Sequence, residues 1–309
     1  MALAATLAAS AVAAPPPPVH VGVFNQTGIR LAGVVWTGHG FIYVENTTNA
    51  LFSTGPGGGQ LQPFAKLPKL VEETRCVVAP GGHGFPAGEI YCNIPDNRIY
   101  RISPDGKSVR LFASLPTRVT SDGMLALDTV GRFGYRLVAA TGRSGAADAT
   151  GGDVYTVDAT GKVRRVGAYP GPGGADEVAI APAGFGTIAG WALLTVDPGA
   201  KGGAVVAVSP TGQARTVALL PDGPNPIVVL PRHGSGSAAS GLYLSDTLSH
   251  NVFVVSGDQI VRYAGDVLVG CELSGRLWVI RPGGSGFTTR EVKTDLAGQY
   301  NLEGATVVP

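Results

Sequence analysis

Five carboxylates and one amide stand out by position: Glu73, Asp122, Asp176, Glu177, Asn225 and Glu303 each open a short run of small or β-branched residues. If those runs lie side by side about one axis, the six side chains ring one end of it. Like charges brought that close repel one another unless protons or a cation neutralise them. Oxygen ligands without His or Cys select a hard ion, so Ca2+ is the expected occupant, with Mg2+ or Mn2+ as alternatives. Such an ion polarises a substrate carbonyl and acidifies a bound water, leaving one ring carboxylate, Asp122, as general base. The competing reading is that these residues only form turns, which Asp and Asn favour in any fold.

Other polar residues point less sharply to chemistry. Glu45, Asn93, Asp197, Asp246 and Glu272 recur where a second β-rich run ends, and read as a device of the turn. His39, His83, His233 and His250 stand beside Gly or Ser in expected turns, and His20 lies near the chain start. Trp36, Trp191 and Trp278 fall in expected strands and read as core. No Ser-His-Asp set, Walker, Rossmann or nucleophile-elbow motif is present, and Gly55–Gly59 precedes no helix that would hold phosphate.

The elements that must position the ring come from an internal repeat. A β-rich run, a short turn and a second β-rich run recur six times, at 40–52, 89–102, 136–157, 191–208, 241–255 and 266–280. Several copies continue through a Gly turn into a further strand ending in Leu-Pro or Tyr-Pro, as at Leu115-Pro116 and Tyr169-Pro170. A small-residue strand precedes most copies, at 31–36, 75–79, 123–128, 177–181, 227–230 and 303–308. Their starts are spaced by roughly 44–54 residues except for a longer last gap. Four antiparallel strands at a period of about 40–50 residues define a β-propeller blade. The small residues suit the innermost strands, which crowd a central channel. Apolar residues at helical spacing are absent, which argues against βαβ units. The fold expected is all-β, a six-bladed β-propeller over residues 19–309; the long last gap and an extra strand at Val19–Phe24 leave seven blades open.

The run Asp96-Asn97-Arg98-Ile99-Tyr100-Arg101-Ile102-Ser103-Pro104-Asp105-Gly106, with Leu242–Thr247 and Ser121–Met124, resembles blades of the gluconolactonase/senescence-marker-protein and NHL-repeat group of propellers. In the lactonase-like members a Glu, an Asn and an Asp at strand starts hold a metal. The resemblance implies those roles for Glu303, Asn225 and Asp122, to which Glu177 is added as a ring neighbour. Two departures are visible: Ala32-Gly33-Val34 replaces the usual first-blade Glu-Gly-Pro, and Asn225 is followed by Pro226 instead of Gly. The implied activity is lactonase-like or esterase-like hydrolysis of a small molecule. The alternatives are a non-catalytic propeller binding a sugar, peptide or protein, and a metal-independent cyclase or isomerase.

Composition narrows the classes further. The 309 residues include 46 Gly, only 15% charged residues, and a net charge of +1. This excludes a dedicated nucleic-acid surface and argues against steering of a highly charged ligand. No stretch is long and apolar enough to span a bilayer, and a monomer is expected. Residues 1–18, an Ala-rich run followed by Pro15–Pro18, read as a secretory signal and start, so a secreted or periplasmic location is expected. Adjacent antiparallel strands turning near His83-Gly84 would place Cys76 opposite Cys92, either as a disulfide or as two buried thiols.

Overall fold

The computed structural model describes residues 17–68, 73–117, 121–142, 150–171, 173–199, 202–232, 240–284, 286–296 and 300–309. Most of the expected signal segment, and His233, lie outside the described residues.

Six four-stranded antiparallel sheets surround one axis. Blades 1 to 4 follow chain order, at residues 31–66, 75–114, 126–169 and 174–220. In each, the first strand is innermost, and all six small-residue runs read from the sequence take that position. Crowding there is severe. A Cβ on Gly123 would lie 2.1 Å from the Asn93 carbonyl oxygen, and one on Gly304 would lie 2.7 Å from the Gly33 Cα.

The second strands are buried on both faces, as in Phe41–Glu45 and Ala192–Asp197. That explains their nearly continuous apolar runs, because each blade packs against a neighbour on either side. The described core is six apolar clusters, one per gap between blades, with Ile42 and Ile90 between blades 1 and 2 and Val138 and Leu194 between blades 3 and 4.

Blades 5 and 6 depart from the simple repeat. Pro224–Val229 is the inner strand of blade 5, but it pairs with Val267–Cys271, placing Ile227 opposite Val269. The intervening hairpin, Gly241–Asp246 with Asn251–Ser256, belongs to blade 6. Its inner strand is Leu302–Val308 and its outer strand is Gly22–Gln26. The 241–256 hairpin is therefore nested inside blade 5 in the sequence. This corrects the simple reading in which the 227–230 strand serves the 241–255 copy, and it accounts for the long last gap. Both ends of the described chain close the ring in one blade, which settles the number at six.

Within blade 2, Cys76 stands opposite Cys92 and the two form a disulfide, resolving the alternative left open above. The closed loop spans a sequence separation of 16, which in the chain-entropy account contributes about 3 kcal/mol. The Cys76→Ala/Cys92→Ala double variant is expected to lose about that much in urea unfolding, and added reductant should then have no further effect.

Candidate acidic centre of the channel

The inner strands all start at the same end of the channel, so the side chains at their starts converge. At their centre lies Arg75, the first residue of the blade 2 inner strand, only 4% exposed. Its Nη1 donates to the Ala32 carbonyl oxygen in blade 1 at 2.6 Å and to Glu73 at 3.4 Å. Its Nη2 reaches Glu303 Oε2 in blade 6 at 3.3 Å and Asn225 Oδ1 in blade 5 at 3.5 Å. Blade 4 supplies Asp176 and Glu177, each 3.6 Å from the guanidinium. The Arg75 backbone N–H donates to the Gly123 carbonyl of blade 3 at 2.8 Å. One residue thus touches every other blade.

The carboxylates also hold one another and the backbone. Asn225 Nδ2 donates to Glu303 Oε2 at 3.1 Å, and the Ile227 N–H donates to Glu177 Oε2 at 2.6 Å. Asn225 precedes a cis peptide bond to Pro226. Asp176 and Glu303 are each 2% exposed and Asn225 is fully buried, whereas the Glu73 side chain keeps 25% exposure.

Four carboxylates around one guanidinium leave an excess of acid. Burial raises the pKa of Glu73, Asp176 and Glu303; Arg75 opposes this, and the fields of neighbouring carboxylates add to it. Burial likewise pushes Glu177 up to about 7. For Arg75, burial alone would favour loss of the proton, but Glu177, Glu73, Asp176 and Glu303 outweigh it and hold the charge. Asp197, at the end of the second strand of blade 4, is raised to about 6 by burial, with Glu272, Asp122 and Asp222 adding to the shift.

Of the residues proposed from sequence, Glu177, Asn225 and Glu303 meet at Arg75, together with Glu73 and Asp176. Asp122 is half-buried, and its field acts on Glu73, Asp176 and Asp197. The turn reading of the second-strand ends holds for Glu45, Asp197 and Asp246, which accept the N–H groups of Thr47, Gly199 and Ser249. Asn93 instead donates to the Met124 carbonyl, tying blade 2 to blade 3. Sequence reasoning missed Arg75. The available signal was a basic residue at the one strand start that also carries a disulfide cysteine.

A hard ion at the Glu303, Asn225 and Glu177 position does not fit this arrangement. The oxygens that would bind it face the guanidinium, and Asn225 Oδ1 and Glu303 Oε2 already accept its hydrogen bonds. A separate concavity of about 730 Å3 opens between blades 1 and 2 near the other ends of their inner strands, lined by Trp36, Phe41, Phe64 and Val78 among others and by no carboxylate.

No protein-family model matches this chain, and no match is found among curated proteins. Among solved structures, it is similar to the PQQ-bound aldose sugar dehydrogenase of Streptomyces coelicolor, with a TM-score of 0.58 and 14% identity over 93% of this chain and 89% of that one. It is also similar to the GH74 xyloglucanase of Xanthomonas campestris, with a TM-score of 0.50 and 14% identity over 84% of this chain and 38% of that one. At these identities the likeness is one of fold. The protein is a six-bladed β-propeller, and propellers of similar fold include enzymes acting on sugars.

Two outcomes follow from the charge arrangement. Arg75→Leu should cost about 3–5 kcal/mol at pH 7.5, because it strips the buried carboxylates of their cation. The loss should shrink as pH falls through about 7, where Glu177 takes up a proton. Glu177 has its folded pKa raised from 4.5 to about 7, so its contribution is fully present below about pH 4.5 and is lost as pH rises through about 7. Melting curves of Glu177→Gln should therefore show a decline in Tm between pH 5 and 7.5 that is shallower than wild type by a few degrees.

Proposed function

We propose that this protein is an exported binding propeller whose acidic channel end takes a small ligand bearing amino groups, with Arg75 standing where a lactonase-like member would place its metal. The observation that carries this reading is the excess of carboxylate over guanidinium, with the Glu73 side chain still partly exposed. Asp122 and Glu272 add their negative field at both Glu73 and Asp197. A low-dielectric cleft lined by one sign of charge concentrates the opposite sign. An ammonium group entering it offsets the carboxylate repulsion that adds to the burial-driven rise of these pKa values. The Cys76–Cys92 disulfide supports export, since such bonds persist in oxidising compartments.

A ligand of that charge displaces protons. Titration calorimetry with spermidine and with a lysyl dipeptide at pH 7, in buffers of different ionisation enthalpy, should show binding coupled to proton release. Asp122→Asn and Glu272→Gln should each weaken binding by about two- to fivefold. Failure of both amines to bind overturns the reading.

The second reading, lactonase-like or esterase-like hydrolysis, is favoured by the fields of Asp122 and Glu272 that both act on Glu73. It would place a divalent ion among these carboxylates and make Asp122 its functional residue. Stoichiometric Ca2+ that is lost in Asp122→Asn, with turnover of a lactone and ester panel, would establish it over the binding reading.

A further inference from the structure

Charged residues are sparse in this chain, yet three arginines meet at one cavity on blade 5. On the two outer strands of that blade, Leu277–Gly283 and Gly286–Val292, Arg281 stands opposite Thr288 and Val279 opposite Arg290. Directly opposed and alternate residues share a face of a sheet, so these four side chains project together. The short helical segment after the 241–256 hairpin brings Arg262 and Tyr263 to the same place, and the resulting cavity measures about 450 Å3. It lies beside Asp266, next to the strand end that pairs with Val229, whereas Asn225 and the acidic centre lie toward the other end of that blade.

Among the described residues, one carboxylate lines the cavity with these three cations. Asp266, 2% exposed, accepts a bidentate pair from Arg281 at 2.8 and 2.7 Å. Arg262 lies 5.1 Å from the Tyr263 ring centroid and donates to the Pro17 carbonyl. Arg290 forms no ion pair among the described residues. Two positive charges are thus left over around a space of small-ligand size. Guanidinium forks match a tetrahedral oxyanion, the Thr288 hydroxyl supplies a further donor, and Tyr263 with Val279 offers an apolar wall. The uncompensated charge matches a dianion. A phosphate monoester carries close to two charges at neutral pH, whereas a sulfate ester or a carboxylate carries one.

We propose that the cavity formed by Arg262, Arg281 and Arg290 is a binding site for a small phosphate monoester, with the ester's organic group against Tyr263 and Val279. The full chain is titrated with phenyl phosphate and with phenyl sulfate at pH 7.5 and fixed ionic strength. Phenyl phosphate should bind at least about tenfold tighter than phenyl sulfate. Arg290→Gln, on an exposed outer-strand position, should weaken the phosphate about tenfold while leaving Tm and spermidine binding unchanged. Equal binding of the two esters, or an unaltered affinity in Arg290→Gln, overturns the proposal. So does retention on phosphatidic acid vesicles that phenyl phosphate does not compete away, which would assign the arginines to a lipid surface.

Discussion

The guanidinium of Arg75 is the constraint on which the centre of this propeller depends. A ring of blades has no natural core on its axis, because the inner strands present small residues and their ends to a channel. Here the channel end is filled by one cation whose donors reach blades 1, 4, 5 and 6, while its backbone joins blade 3. Each carboxylate around it would be costly to bury alone. Together they hold Arg75 charged, and it in turn limits how far their own pKa values rise. The Cys76–Cys92 link begins one residue away and pins that strand to its neighbour, so the residue crossing the axis starts from a braced backbone.

Net charge near neutrality conceals a divided molecule. Acid is concentrated at the starts of the inner strands, while arginines with, among the described residues, a single carboxylate gather near the other end of blade 5. The total of +1 reflects cancellation over distance. Composition argued against steering of highly charged ligands, but a sum carries no information on where charges lie. At separations beyond about 10 Å in physiological salt, opposite patches act independently. Each can therefore select its own kind of ligand.

Much of the fold was legible in the chain. Alternating β-rich runs, Gly turns and small-residue strands identify a propeller because each answers a local demand: burial on two faces, a tight reversal, or crowding at the axis. All six inner strands and the convergence of Glu73, Asp176, Glu177, Asn225 and Glu303 follow from that local logic. The Cys76–Cys92 pairing was legible as a register, although its oxidation state was left open.

Partner choice and the central cation were decided only in three dimensions. A strand's pattern states which faces are buried and says little about which strand lies beside it. The 227–230 strand and the 303–308 strand are interchangeable in that respect, and the chain exchanges their hairpins. The identity of the cation escaped for a related reason. Arg75 and Glu303 are 228 residues apart, and no local spacing records their meeting. The acidic residues on the axis required a positive charge, which the sequence alone could state. Whether a bound ion or a side chain supplied it depended on which strand start the closed ring brought to its centre.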